Sequence, residues 1–187
     1  MKLRDYAAFI DHAILLPQCT FSDIEVACKE AIKNGYYCLA ITPAMLPHAV
    51  SILGNSNHIH ISSAIAFPHG TITPTSKAFE AAESCRIGAD EIDMVMNIGM
   101  AKMGDWISVE DEISLVKKAI TSVRSDSVLK VIIETSLLTE KEKIEACNAC
   151  IKANANFIKT STEYYAAGAT AEDITPLPQC CVDRRGR

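Results

Sequence analysis

Short apolar runs alternate along the chain with longer segments in which apolar residues recur at helical spacing. The apolar runs predict six strands, at about residues 9–15, 37–41, 59–66, 90–96, 129–133 and 156–162. The segments between them predict helices at about residues 20–34, 43–53, 73–87, 106–123 and 139–154. Strands that alternate with helices in this way form a parallel sheet with the helices outside it.

Two architectures fit this order of elements, an open doubly wound sheet and a (β/α)8 barrel. No glycine-rich phosphate loop follows the first strand, which disfavours a dinucleotide-binding sheet. Side chains alternate along a strand, so Asp93 points away from Ile92 and Met94, while Lys130 and Glu134 share one face. Charged groups near the carboxyl ends of apolar strands converge inside a barrel, where barrel enzymes carry their chemistry. The pattern therefore favours the barrel.

Lys159 lies near the end of the sixth apolar run and is followed at once by three hydroxyl residues, 160–162. Removal of a lysine from water disfavours its charged form, and a neutral amine attacks a carbonyl to form a Schiff base. Lys159 is therefore a candidate nucleophile. The structural alternative is a strand-end lysine that extends its ammonium to water.

The composition indicates one folded domain that acts on small molecules. The 187 residues are 49 % hydrophobic and carry a net charge of −5, with the two signs interspersed. This charge argues against a nucleic-acid surface. No apolar stretch approaches the roughly 18 residues of a membrane span, and the first residues lack the apolar segment of a signal peptide. We therefore expect a cytoplasmic protein without nucleic-acid or membrane partners.

Eight cysteines are scattered through the predicted helices and strands. In a reducing compartment they are most simply free, buried thiols. Cys147 and Cys150 have the C-x-x-C spacing, for which redox chemistry or zinc binding is the alternative. They lie within a helical pattern rich in lysine and glutamate, however, and no second pair of ligands has matching spacing.

Five segments, in this order and at these separations, resemble the class I deoxyribose-phosphate aldolase family. The likeness covers about residues 8–174 and rests on Asp11-His12, Phe67-Pro68-His69-Gly70, and residues 88–95, 129–135 and 157–162. The resemblance implies a (β/α)8 TIM barrel that reversibly cleaves 2-deoxy-D-ribose 5-phosphate into glyceraldehyde 3-phosphate and acetaldehyde. It also implies that Lys159 forms the Schiff base and that Asp93 donates and accepts protons. No metal or other cofactor is expected, because the iminium serves as the electron sink.

Four further residues are candidates for substrate binding, namely Thr162, Thr160, Asp11 and Lys130. The threonines either bond the substrate or complete backbone hydrogen bonds at the strand end, and Asp11 either contacts substrate or lines the site. Lys130 and Glu134 either orient the site or form an internal ion pair.

Two histidines, His12 and His69, have no partner histidine at ligand spacing, so packing or a local hydrogen bond is expected of them.

The chain departs from the family after about residue 174. We expect residues 1–174 to form a partial barrel of about six βα units, and residues 175–187 to form an atypical tail that arises from truncation or a shifted reading frame. The family's second lysine and its phosphate-binding loops have no counterpart in that tail. Unpaired edge strands would favour self-association into a homo-oligomer. Impaired activity, or a non-catalytic remnant of the family, is the corresponding functional expectation.

Glu163 is a second departure, because the family usually has glycine at this place. A carboxylate here stands close to the approach of an anionic phosphate, and like charges would oppose binding of the substrate.

Overall fold

The computed structural model describes residues 6–54, 58–165, 168–170 and 173. Strands and helices alternate throughout these residues: β1 Asp11–Ile14, α1 Phe21–Asn34, β2 Cys38–Ile41, α2 Leu46–Leu53, β3 His60–Ile65, α3 Pro74–Ile87, β4 Glu91–Val95, α4 Ile98–Lys102, α5 Trp106–Val123, β5 Val128–Ile132, α6 Glu140–Lys152 and β6 Phe157–Lys159. Two 3₁₀ turns, Pro43–Met45 and Thr135–Leu137, follow β2 and β5.

The six strands form one sheet whose spatial order is the order of the sequence, and every neighbouring pair is parallel. A doubly wound sheet reverses its strand order part-way, so this sequential order excludes that alternative. Four strand intervals separate β1 from β5, about 19 Å in a flat sheet. Lys130 on β5 nevertheless reaches Asp11 on β1, with 2.5 Å between the ammonium and the carboxylate. The sheet is therefore curled, with β1 and β5 facing each other across its inner side.

Most predicted elements are confirmed, and the differences have local causes. The strands other than β5 are shorter than predicted, and β6 ends at Lys159. The predicted helix 43–53 is divided into a 3₁₀ turn and α2, because Pro47 has no N–H with which to continue the hydrogen bonds of the preceding turn. The sequence did not indicate α4, a five-residue helix opened by the side chain of Asn97, which accepts from the N–H of Met100.

Threonine caps fix the starts of three helices on the outside of the sheet. Thr20 and Thr139 each form a reciprocal capping box with the acidic residue three positions later. Thr73 accepts from the N–H of Ser76 ahead of Pro74. Each cap of this kind stabilises its helix by about 1 kcal/mol. These three starts agree with the sequence prediction.

The outward faces of the strands and the inner faces of the helices make one apolar core. Ile92, Met94 and Met96 are completely buried in it, on the side away from Asp93, as the alternation predicts. Of the six described cysteines, Cys19 is partly exposed and the other five are buried. Among the described residues, no helix has the length and apolar character that a membrane crossing requires.

A buried ion pair ties two outer helices to the end of β4. The ammonium of Lys77 on α3 donates to Glu112 on α5 at 2.9 Å and to the carbonyl of Val95 at 2.9 Å. Glu112 also accepts from the N–H of Asn97 at 2.5 Å. Burial lowers the pKa of Lys77 and raises the pKa of Glu112, against their mutual attraction. The pair therefore holds the loop after β4, and with it the strand that carries Asp93.

The curled sheet has β1 and β6 at its two edges, and no strand pairing joins them within the described residues. Residues 175–187, for which the sequence predicts an atypical tail, lie outside the described residues.

Candidate active site

Lys159 and Asp93 meet on the inner side of the curled sheet. Lys159 is the last residue of β6 and Asp93 is the middle residue of β4, and their side chains are joined at 2.5 Å between Nζ and Oδ2. The Lys159 side chain keeps 28 % of its surface exposed, whereas Asp93 keeps 2 %. The lysine side chain is thus partly accessible, and the carboxylate beside it is sealed from water.

The two oxygens of Asp93 have different partners. Oδ2 accepts from Lys159, while Oδ1 accepts from the hydroxyl of Ser62 on β3 at 2.7 Å and lies 3.5 Å from the ammonium of Lys130. Burial alone would raise the pKa of Asp93. The two ammonium groups and the two hydrogen bonds outweigh burial and hold that pKa below its ordinary value. Asp93 is therefore an ionised carboxylate in the free protein at neutral pH.

Lys130, predicted from the sequence as a substrate-binding residue, is a buried cation among three carboxylates. Its ammonium lies 2.5 Å from Asp11, 2.5 Å from Glu91 and 3.5 Å from Asp93. Burial alone would lower the pKa of Lys130, but the surrounding carboxylates raise it far above its ordinary value. We call Asp11, Glu91, Asp93, Lys130 and Lys159 the inner charge cluster. It contains two cations and three anions.

Two residues of the inner charge cluster also belong to a group that could hold a metal ion. The ligand atoms of Asp11, Cys38 and Glu91 lie close enough together to hold an ion. The ammonium of Lys130 already lies against both carboxylates, and burial raises the pKa of the Cys38 thiol. These residues therefore fit a protein ammonium better than a metal ion.

Glu134 leaves the strand and does not pair with Lys130, contrary to one reading of the sequence. β5 ends at Ile132, and Glu134 adopts a left-handed backbone conformation with φ 52°. Its carboxylate accepts from the N–H of Thr162 at 2.8 Å and from the Thr162 hydroxyl at 2.6 Å. This carboxylate thus fixes the chain that follows Lys159.

The hydroxyls that follow Lys159 are partly engaged. Thr162 is buried and donates its hydroxyl proton to Glu134, while its oxygen accepts from the N–H of Tyr164 at 3.3 Å. Thr160 is partly exposed, and its hydroxyl oxygen accepts from Ser161 at 3.0 Å. Thr160 is thus the more accessible of the two threonines that follow Lys159 in the chain.

Residues 163–165 cross the carboxyl end of the sheet and bring distant loops together. Tyr164 donates its hydroxyl to the carbonyl of Leu15, after β1, at 3.2 Å, and its ring makes a T-shaped contact with Phe67, after β3. Tyr165 is hydrogen-bonded to His69. Glu163 has φ 65°, the left-handed region that glycine adopts without strain. The rim on the amine side is thus aromatic, with an exposed carboxylate at Glu163.

His12 and His69 each contact an aromatic side chain. His12 packs against Tyr36 and lies 3.5 Å from Glu30, and His69 makes the hydrogen bond to Tyr165. Each histidine thus makes a packing contact or a hydrogen bond, although the hydrogen bond of His69 reaches a residue 96 positions away rather than a local partner.

Two side chains of the site were not singled out in the sequence. Ser62 gave no signal beyond its place on the inner face of a predicted strand. Glu91 lies two residues before Asp93, so strand alternation alone could have placed it on the inner face.

A curled parallel α/β sheet with charged side chains on its inner side, near the carboxyl ends of its strands, is the architecture of barrel enzymes. Residues 6–178 match the model of the DeoC/LacD family aldolases, and the chain belongs to this family. The expected fold class, a parallel α/β sheet of the barrel type with six strands present, is confirmed.

Individual relatives agree with the family assignment. The chain is 39 % identical over 180 residues to deoxyribose-phosphate aldolase of Deinococcus radiodurans. The aligned segment covers 96 % of this chain and 80 % of that protein. It is 40 % identical over 186 residues to the enzyme of the same name from Mannheimia succiniciproducens, covering 100 % of this chain and 81 % of that protein. The tetrameric deoxyribose phosphate aldolase from Aeropyrum pernix superposes with a TM-score of 0.86 at 28 % identity, over 96 % of this chain and 74 % of that one.

Proposed function

We propose that this chain is a Schiff-base aldolase that reversibly cleaves 2-deoxy-D-ribose 5-phosphate into glyceraldehyde 3-phosphate and acetaldehyde. Lys159 is the nucleophile, and Asp93 is the proton donor and acceptor. The observation that carries the proposal is the contact between the amine of the partly exposed Lys159 and the buried carboxylate of Asp93, 2.5 Å apart. The substrate class rests on the names of the relatives, which are deoxyribose-phosphate aldolases.

The first stage joins the amine to the open-chain sugar. The ammonium of Lys159 gives a proton to Asp93, and the free amine attacks the aldehyde carbon C1, forming a C–N bond. Asp93 returns the proton, directly or through water, and the carbinolamine loses water to become an iminium. A group that touches the amine and alternates between acid and carboxylate suits both transfers.

The second stage breaks the C2–C3 bond. Asp93 removes the proton of the C3 hydroxyl, the C2–C3 electron pair moves into the iminium, and glyceraldehyde 3-phosphate leaves. The neutral enamine that remains takes a proton at C2 from Asp93, and water then releases acetaldehyde from the amine. Every proton removed by the carboxylate is returned within the same cycle.

The remaining residues of the cluster support these steps. Lys130 lies beside Asp93 and keeps it ionised between proton transfers. Asp11 and Thr160, which are partly exposed, are the proposed contacts for hydroxyl groups of the sugar. Thr162 and Lys130 are buried and hydrogen-bonded or ion-paired, so we propose that they act on substrate chiefly by shaping the wall of the site. Association of several copies stays a prediction.

Trapping with borohydride tests the proposal. The purified chain is incubated with acetaldehyde and sodium borohydride, which reduces an iminium to a stable ethylamine, and the modified residue is located by peptide mass spectrometry. The adduct is expected on Lys159 and should disappear in Lys159→Arg, which keeps the positive charge but cannot form the iminium. Lys152→Arg is the matched control, because Lys152 is an exposed surface lysine.

The rate of trapping separates the two proposed roles. Asp93→Asn should retain the amine but form the adduct at least about 100-fold more slowly, since general acid–base catalysis contributes about 10²- to 10⁴-fold. A folded chain without an adduct on Lys159 would refute the proposal and favour the non-catalytic remnant.

A further inference from the structure

Ser62 contacts the proposed proton-transfer group from the side opposite to the amine. It lies on β3, is completely buried, and donates its hydroxyl to Asp93 Oδ1 at 2.7 Å. The neighbouring strand register pairs Ala64 with Asp93 and Ser62 with Glu91, so the hydroxyl reaches Asp93 diagonally across the ladder. Alanine at position 62 would leave the strand pairing unchanged.

We propose that Ser62 is a positioning residue for Asp93, which fixes the carboxylate so that Oδ2 faces Lys159 and carries the exchanged proton. This inference rests on the proposed function of Asp93. The hydroxyl of Ser62 donates to Oδ1 and, together with Lys130, disfavours a proton on that oxygen. The proton that Asp93 takes up is thereby directed to the oxygen in contact with the amine.

The same hydrogen bond also restrains rotation of the carboxyl group. The contact between Lys159 and Asp93 changes during the reaction, because the nitrogen is in turn an ammonium, a neutral amine and an iminium. The Ser62 contact does not depend on the state of the amine. It therefore holds the carboxylate in place at the stage when the neutral amine attacks and when the substrate occupies the site.

The next residue provides a matched control. Ser63 is also completely buried on β3, but its side chain points outward, and its hydroxyl lies 3.0 Å from the hydroxyl of Ser84 on α3. Ser62→Ala and Ser63→Ala thus remove the same group from the same strand, at equal burial, on opposite faces of the sheet.

Kinetics on 2-deoxy-D-ribose 5-phosphate test the positioning role. Ser62→Ala should lower kcat about 10-fold with little change in KM, since a misaligned proton acceptor slows the chemical step. Removing the hydrogen bond also raises the pKa of Asp93, so the acid limb of the kcat profile should move up by about one pH unit. Ser62→Thr keeps the hydroxyl and should restore the limb. Ser63→Ala should leave both kcat and the limb unchanged.

A second measurement does not depend on turnover. Ser62→Ala is made in the wild-type chain and in Asp93→Asn, and the unfolding equilibrium constant is measured in urea for all four proteins. The factor by which Ser62→Ala raises the unfolding equilibrium constant should be about 10-fold larger when residue 93 is an aspartate than when it is an asparagine. A charged acceptor makes the stronger hydrogen bond. Ser63→Ala should have the same effect in both backgrounds.

The two measurements separate the failure of this inference from the failure of the proposed function. If the wild type forms no adduct at Lys159, the proposed function fails, and the urea cycle still decides whether Ser62 holds Asp93. The inference is overturned if Ser62→Ala is active and the acid limb of its kcat–pH profile does not move. It is also overturned if Ser62→Ala has the same effect on unfolding with aspartate and with asparagine at position 93.

Discussion

Replacing Lys130 with methionine tests the inner charge cluster as the element that holds the curled sheet. Methionine keeps most of the length of the side chain and removes its charge, which leaves Asp11, Glu91 and Asp93 facing one another without their shared cation. Removing one partner of a single buried ion pair costs about 3 to 5 kcal/mol. Lys130 serves three carboxylates, so we expect a loss of at least about 3 kcal/mol, a large part of the roughly 5 to 15 kcal/mol that stabilises a typical domain.

The loss is measured as the free energy of unfolding in urea at pH 7, followed by the fluorescence of Trp106 and by far-ultraviolet circular dichroism. Lys102→Met is the control, because Lys102 forms a 2.8 Å pair with Glu142 but keeps 45 % of its side chain exposed. Such a solvent-exposed pair contributes little to stability. Adding Glu91→Gln to Lys130→Met removes one uncompensated charge and should recover part of the loss.

The pH dependence has a definite sign. Asp93 has a pKa lowered below 3.8, so its ionised form contributes stability above the unfolded pKa, and this contribution is lost as the pH falls below about 3.8. Lys130 has a raised pKa, so its contribution is complete below the unfolded lysine pKa, about 10.4, and is constant between pH 5 and 9. The gap between wild type and Lys130→Met should be largest near neutral pH and shrink as the pH falls, because the uncompensated carboxylates of the variant take up protons. A loss under about 1 kcal/mol at pH 7 would refute the structural role of the cluster.

Three further predictions concern other parts of the chain. Lys77→Met should lower the free energy of unfolding in urea by about 3 to 5 kcal/mol, because it leaves Glu112 buried and charged. The double variant Lys77→Met/Glu112→Leu should recover most of this loss, and an equal loss in the single and double variants would contradict the prediction. Glu163→Gly should raise the unfolding free energy by up to about 1 kcal/mol by relieving the left-handed backbone at φ 65°, whereas Glu163→Ala should give no such gain. Burial raises the pKa of Cys28 to about 11, so a thiol reagent at pH 8 should label Cys19 first and Cys28 only on unfolding; equal rates would refute this.

Much of the fold and of the site could be predicted from the sequence, because two simple periodicities carry the information. Apolar strands between amphipathic helices gave the parallel sheet, and alternation along β4, β5 and β6 placed Asp93, Lys130 and Lys159 on one face. Parallel strands bring their equivalent ends together, so these charges had to converge once the sheet curled. The chemical pairing of Lys159 with Asp93 followed from a resemblance of five motifs rather than from periodicity.

The features that escaped prediction depend on contacts between distant residues. Lys77 looks like an ordinary surface lysine within a helical pattern, and its burial follows only from Glu112, which lies 35 residues away on another helix. Glu134 continues the alternation of β5 in the sequence, but the strand ends before it and the backbone turns left-handed. The pattern of a single sequence does not show that Lys77 pairs with Glu112. It also does not show that β5 ends before Glu134.

The charge balance of the inner cluster explains how a buried site could support several proton transfers. Before attack, Lys159 is an ammonium and Asp93 is a carboxylate, so their charges sum to zero. In the proposed reaction the amine becomes neutral as Asp93 takes its proton, the iminium forms as the proton is returned, and the enamine again coincides with a protonated Asp93. The sum for the pair is zero at each of these stages, and Lys130, with its raised pKa, stays charged throughout. Because burying a net charge is costly where water is excluded, a cycle that never changes the charge of the pair avoids that cost at every step. The two oxygens of Asp93 therefore have different roles in this proposal. Oδ1, in contact with Ser62 and Lys130, holds the carboxyl group in the cluster. Oδ2, in contact with Lys159, exchanges the proton.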